Sequence, residues 1–307
     1  MMRALKGLSK AARLLMAYPV LSLFPMSLAY SLAALISPMD RNFRQSYMRQ
    51  WVKGLEKCIL QGKGLKIEDR NKCIKKHLHM LSLEALDSYL VPRLNPSQMK
   101  KLSHIEGVHH IEKALSRGKG LIIATSHFCR LNMTAYSLGH MGVRNGILSQ
   151  AVDKDNPYLD WIDRRFLTKK LKKYYEVTKG PGLTLKDNPR HIYRALKRNE
   201  IMVILMDAYP ETVRNFYHVP FLGGTLKLPR GIARISQKTE SPIVYSVVKP
   251  RKKWQVKVEI RPTAGIGEDA FFQTVKEFRQ DILDMPCQWW QWAYMNTMWK
   301  SKITDEQ

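Results

Sequence analysis

Gly120-Leu-Ile-Ile-Ala-Thr-Ser-His127-Phe-Cys-Arg-Leu-Asn132 decides how the chain is read. Leu121 to Ala124 is an unbroken aliphatic run, as expected of a strand buried on both faces; a half-exposed strand would alternate. The run delivers a histidine to the start of a helix that Asn132, Met133, Tyr136 and Leu138 would carry. Reacting groups in open α/β sheets gather beyond the carboxyl ends of strands, so His127 stands where a general base belongs. Asn132 lies five residues on, within reach of the imidazole if its side chain turns back.

A second aliphatic run, Ile201 to Met206, ends at Asp207. Asn145 to Ala151, Ile243 to Val248 and Gln255 to Ile260 also read as strands, the last alternating apolar with charged residues and therefore more exposed. Helices are expected at Asn156 to Phe166, with Pro157 just inside its start, at Arg190 to Lys197 and at Phe271 to Leu283. This alternation predicts an α/β fold with a mainly parallel central sheet flanked by helices. Residues 41–117 read as a helical lead-in, with apolar positions three and four apart over Gln50 to Leu60 and His77 to Val91. Pro92 and Pro96 end the second of these.

The 307 residues, 45% hydrophobic, suffice for one sizeable core, and no linker, repeat or low-complexity tract divides them. One domain over residues 41–307 is expected, preceded by a membrane-anchoring segment over 1–40. Leu14 to Ile36 carries no charge and is long enough to cross a bilayer. Pro19 and Pro25 interrupt it. Arg3, Lys6, Lys10 and Arg13 precede it, and Arg41, Arg44, Arg49 and Lys53 follow it, so charge asymmetry gives no orientation. A broken, monotopic insertion with both flanks cytosolic fits this pattern; a single span is the other reading.

The formal charge of +25 and the pI near 9.9 call for an acidic partner. No zinc-ligand spacing, ribonucleoprotein motif or basic helix-turn-helix supports nucleic acid. An anionic membrane lipid surface fits better, and the same field would steer an acidic carrier protein. Lys169, Lys170, Lys172 and Lys173 form a basic run that reads either as a solvated face or as part of such a surface. Cys58, Cys73, Cys129 and Cys287 show no paired spacing, so neither a disulfide framework nor a metal cage is expected, and a reducing compartment is the default. Cys129 reads as a thiol nucleophile or as a small apolar filler.

Four blocks in order carry a family resemblance: Gly120 to Asn132, Asp155-Asn-Pro-Tyr-Leu-Asp-Trp161, Asp207 ahead of Val219-Pro-Phe-Leu-Gly-Gly224, and Pro286-Cys-Gln-Trp-Trp-Gln-Trp292. From roughly His104 to Lys300 the chain resembles the late acyltransferases of lipid A biosynthesis, a branch of the lysophospholipid acyltransferase superfamily. The resemblance implies an acyltransferase-type α/β fold on the cytoplasmic face of the inner membrane. It implies an acyl carrier protein or other acyl thioester as donor, a hydroxyl of a lipid or glycolipid as acceptor, and neither cofactor nor metal.

His127 is then the general base, and Asn132, at the position of the family's motif acid, orients the ring through its amide oxygen. Asp207 and Asp153 are candidates for the missing negative charge. Substrate contacts fall to Arg130, Lys154, Asn156 and Arg164. Val219 to Gly231 reads as a loop leading into a helix, where Gly223, Gly224, Lys227 and Arg230 would meet an anion or a developing oxyanion.

The chain departs from the family at Asn132, at Gln150 to Lys154, where an arginine is usual, and at Tyr294 to Asn296, where His-Arg-Arg is usual. Two alternatives follow: glycyl or other aminoacyl transfer to lipid A, and a non-catalytic lipid- or carrier-binding protein on the same fold. The aromatic end, with Trp289, Trp290, Trp292 and Trp299, reads as core packing or as an interfacial belt.

Overall fold

The structure, a computed structural model, describes residues 2–39, 44–61, 70–208 and 215–301. Among these residues are ten strands, most of them separated by helices: β1 (Ser103–Glu106), β2 (Leu121–Thr125), β3 (Asn145–Ser149), β4 (Lys179–Thr184), β5 (Ile201–Leu205), β6 (Phe216–Phe221), β7 (Gly224–Pro229), β8 (Ile243–Pro250), β9 (Val256–Pro262) and β10 (Trp299–Ser301). Seven form one sheet in the order β1-β9-β8-β2-β5-β3-β4, parallel except where β8 meets β9. The aliphatic runs of β2 and β5 occupy adjacent central places, and Leu121 to Ala124 are fully buried. β9 lies toward the edge, and its alternation follows from one covered and one wetter face: Val256, Val258 and Ile260 are buried between half-buried Lys257 and Glu259. The mainly parallel α/β fold is as the alternation predicts.

Several elements differ from expectation. The helix placed at Asn156 to Phe166 runs instead over Trp161–Thr178, capped by Asp160, whose carboxylate accepts from the Asp163 N–H at 2.8 Å. Pro157 sits in the preceding turn. There Asn156 Oδ1 accepts from Tyr158 N at 3.1 Å, and its amide donates to the Ala151 carbonyl at 3.0 Å. The basic run lies on this helix. The lead-in contains β1 as well as helices, and β4, whose two glycines and proline give no strand pattern, lies at the sheet edge.

The expected loop at Val219 to Gly231 is a hairpin of β6 and β7, joined by Leu222 and Gly223, both at positive φ. With β10 it forms a small antiparallel sheet. A side chain at Gly224 would strike the Lys300 carbonyl and the Trp299 ring, so that glycine answers to packing.

The N-terminal stretch folds as a broken helical unit. Helical turns over Met2–Ala11, Ala12–Ala17 and Tyr18–Leu21 lead to a break, and Met26–Ile36 forms a second arm. Among the described residues no helix is long and apolar enough to cross a membrane; Arg41 lies outside those residues.

Both arms pack on the helix Arg70–Leu90. Tyr18 Oη pairs with Ser82 Oγ at 2.8 Å, the Ser82 hydroxyl donates to the Ala33 carbonyl at 2.9 Å, and the Tyr89 hydroxyl donates to the Leu14 carbonyl at 2.7 Å. Leu14, Tyr18, Ala29, Tyr30 and Ala33 belong to the same buried cluster as the sheet. A line at residue 40 therefore does not separate two cores.

Candidate active site

Thr125 of β2 stands opposite Leu205 of β5. The Met206 N–H donates to the Thr125 carbonyl at 2.8 Å, carrying the pairing one step beyond the strands. The residues that follow must therefore emerge side by side. His127 Nδ1 lies 2.9 Å from Asp207 Oδ1, and the His127 backbone N–H reaches both carboxylate oxygens at 3.0 Å. Trp289 Nε1 donates to Oδ2 at 2.8 Å. Asp207 is fully buried, while the His127 side chain keeps 24% of its surface.

These contacts fix the imidazole's proton. The carboxylate oxygens accept from the His127 backbone N–H and the Trp289 indole N–H, so they act as acceptors and Nδ1, facing Oδ1, carries the hydrogen. Gln291 Nε2, though 2.9 Å from Nδ1, donates to the Asp207 backbone carbonyl at 3.0 Å. His127 Nε2 is then the unprotonated nitrogen, without a protein partner among the described residues.

The C-terminal aromatic block is the third wall of the site. Trp290 N donates to the His127 carbonyl and Cys129 N to the Gln288 carbonyl, each at 2.9 Å. Phe128 and Trp289 form an isolated antiparallel bridge. From the other side, Trp51 Nε1 donates to the Trp289 carbonyl and His77 Nδ1 to the Cys287 carbonyl, each at 2.9 Å. A disulfide joins Cys73 to Cys287 across 214 residues. That bond corrects the expectation of four unpaired cysteines: so distant a pair leaves no spacing signature, and only the fold brings the two together. Cys129 is the filler of the two readings, since burial pushes its thiol up to about 12 and leaves little thiolate.

Asn132 is not the group that orients the histidine. Its amide donates to Glu84 Oε1 at 2.7 Å, an oxygen that also accepts from Lys170 Nζ at 2.6 Å. Burial raises the Glu84 carboxyl, and Lys170 opposes the rise. Arg130, expected to touch substrate, is buried and committed: Nε donates to Asp87 Oδ2 at 2.6 Å, and the two other nitrogens to Asp87, Tyr30 Oη and the Trp254 carbonyl. Burial works against its charge, but Asp87 and Tyr30 more than offset this and hold its pKa above the ordinary value.

The remaining expected residues lie in other surroundings. Asp153 pairs with Lys186 at 2.7 Å, which takes it out of the histidine's service. Arg164 donates to the carbonyl of exposed Lys154 at 2.9 Å. Arg230 lies over the Tyr217 ring, 4.7 Å from its centroid, and donates to the Phe216 carbonyl. Lys227 is half-buried on β7 opposite His218. The Leu222–Gly223 turn follows Phe221, whose ring packs on Trp289, behind Asp207.

Trp289, Gln291, Glu84 and Asp87 were not assigned to the site by sequence reasoning. The Pro286 to Trp292 block pointed at the first two, but nothing local marks which of its side chains meets a distant aspartate.

Fold and site define the class: an α/β protein with a histidine–aspartate dyad at the carboxyl edge of a parallel sheet. The family model for bacterial lipid A biosynthesis acyltransferases matches residues 14–301, and the chain belongs to that family. A comparison with curated proteins finds none that matches.

Two tests follow from this geometry. Asp207→Asn replaces one carboxylate oxygen with an N–H donor, which can impose the wrong His127 tautomer, and should lower turnover by up to about ten-thousandfold. Asn132→Asp sets a second buried carboxylate against Glu84, raising its own pKa above the unfolded value. The folded state then binds more protons than the unfolded one, so relative to wild type this variant should lose thermal stability as pH rises above the unfolded aspartate value of about 4. Wild-type activity in Asp207→Asn, or a pH-independent midpoint difference for Asn132→Asp, would overturn the assignments.

His77 gives a third test. Burial, only partly opposed by its bond to the Cys287 carbonyl, drives its pKa down to about 3. Below about pH 6.5 the unfolded chain takes up a proton that the folded chain refuses. This contribution to stability is therefore present above that pH and is lost progressively as pH falls toward 3. Thermal midpoints from pH 7 downward should fall more steeply for wild type than for His77→Gln; parallel curves would contradict it.

Proposed function

We propose that the chain transfers an acyl group from a thioester donor, held on an acyl carrier protein, to a hydroxyl of a lipid or glycolipid. The observation that carries the reading is the Asp207–His127 pair, with Nδ1 engaged and Nε2 unprotonated. In this mechanism Nε2 takes the hydroxyl proton as the oxygen attacks the thioester carbonyl. The tetrahedral intermediate collapses with cleavage of the carbon–sulfur bond, and the departing thiolate takes the proton back from the imidazolium. Asp207 stabilises the imidazolium in between. The charge of +25 favours encounter with an acidic carrier.

His127→Ala should abolish transfer while keeping a cooperative, somewhat lowered unfolding transition, because buried Asp207 loses the imidazole but keeps the His127 backbone N–H and the Trp289 indole as donors. The assay uses carrier thioesters with fatty and glycyl groups and a lipid A precursor as acceptor. Turnover retained by His127→Ala sinks the mechanism. Glycyl transfer alone favours the aminoacyl alternative, and no transfer by wild type favours a binding protein.

The proposed location is the cytoplasmic face of the inner membrane, entered from one side. Support comes from exposed apolar side chains along the N-terminal unit, among them Met16, Leu23 and Leu35 at 66%, 63% and 74% exposure. Tyr158, in the turn before the helix Trp161–Thr178, and Trp161, its first residue, are similarly exposed, and Lys10 ties this region to the N-terminal unit by bridging Asp160 and Asp163. Aromatic side chains favour the headgroup level. Leu23→Asp with Phe24→Asp should reduce flotation with anionic vesicles at least tenfold, and unchanged flotation would place the contact elsewhere.

A further inference from the structure

A cavity of about 520 Å³ opens beside the dyad without including it: neither His127 nor Asp207 lines it. That volume lies within the range of small-molecule sites. Its walls are the helix Arg70–Leu90, the turn between β8 and β9, and the segment Asp284 to Gln288; Cys129 and Arg130 also line it. The lining is graded along the helix. Lys72 and Lys76, one turn apart, share a face with Met80 and Leu83 further along. Lys76 to Leu83 spans about 10 Å at the helical rise of about 1.5 Å per residue. Lys253 adds a cation from the β8–β9 turn, while Trp254, Met285 and the Cys73–Cys287 bridge extend the apolar part.

We infer that this cavity is a second ligand site, separate from His127, for a single-chain amphiphile with an anionic head. Charge complementarity selects the head. Lys76 and Lys253 are exposed, and among the described residues neither is ion-paired. The one carboxylate lining the cavity, Asp284, accepts from Gln280 at 2.7 Å. The apolar walls select the tail: Met80, Leu83, Trp254, Val256 and Met285 outnumber the uncharged polar lining side chains His79, Gln255 and Gln288. Arg130 adds no free donor, because Asp87, Tyr30 and the Trp254 carbonyl hold it.

Occupancy would be felt at the dyad through the chain itself. Cys129 and Arg130 lie two and three residues after His127, and Gln288, whose carbonyl holds the Cys129 N–H, precedes the tryptophan that grips Asp207. The inference does not depend on which group the enzyme transfers.

The test is photocrosslinking of the full chain in lipid nanodiscs with diazirine-bearing dodecanoate, followed by peptide mapping. Label should fall on peptides containing Met80 to Leu83 and Trp254, and should be competed by dodecanoate and dodecyl phosphate but not by dodecanol. The stronger competitor of the first two identifies a carboxylate or a phosphate head. Lys76→Glu with Lys253→Glu should cut labelling at least fivefold, Met285→Trp should do so by filling the tail region, and His127→Ala should leave it unchanged. Labelling confined to peptides around His127 or to Met26–Ile36, equal competition by dodecanol, or full labelling of the lysine double variant would overturn the inference. None of these readouts requires turnover, so a failed transfer assay and a failed site remain distinguishable.

Discussion

A fully buried carboxylate, Asp207, sets the terms for the surrounding structure. A buried anion is tolerated only when nearby donors replace its lost hydration, and here the donors come from two distant segments: the backbone and imidazole of His127, and the indole of Trp289. Satisfying one charge therefore fixes the end of β5, the end of β2 and the C-terminal aromatic block against one another. Gln291 adds a bond to the Asp207 backbone carbonyl, so the aspartate's main chain is held as well as its side chain. The histidine receives its tautomer as a consequence of how the carboxylate is buried.

Behind the dyad lies a second layer of buried charge that serves position. Glu84 and Asp87, three residues apart on Arg70–Leu90, hold Asn132 and Arg130 respectively. Such pairs contribute little net stability, since desolvation nearly cancels attraction, but breaking one leaves an uncompensated charge. They therefore act as locks on the segment that carries His127. Asn132 becomes intelligible in this setting: beside Glu84 an amide can donate, whereas an acid would bring like charges together. Tyr30 couples the N-terminal unit to the same lock through both Asp87 and Arg130, so the unit that carries exposed Met16, Leu23 and Leu35 is tied through a buried residue to the segment that bears the base.

The central strands were legible because burial on both faces leaves a local mark, the unbroken aliphatic run, and Arg190–Lys197 because its period does. β6 and β7 were not, since a Pro- and Gly-containing hairpin with half-buried positions resembles a loop in sequence. The break at Pro19 to Pro25 was visible, but the destination of the two arms was not: Tyr18, Tyr30 and Ala33 look equally suited to lipid and to a protein core, and only the presence of Ser82 and Asp87 opposite them distinguishes the two.

By itself the sequence determined the class of fold, the placing of His127 and Asp207 at strand ends and the membership of a lipid acyltransferase family, because these rest on local periodicity and contiguous motifs. It also marked Asn132 as a departure from the family. Tertiary structure alone decided what that departure means. Which acid faces the imidazole depends on the pairing of β2 with β5, whose aspartate lies 80 residues from the histidine. Which acid faces Asn132 depends on the packing of the helix Arg70–Leu90, whose Glu84 lies 48 residues earlier in the chain, and so does the joining of Cys73 to Cys287. These are contacts between segments that share no local pattern, and the partner of a buried charge is settled by the geometry in which the chain can bury it.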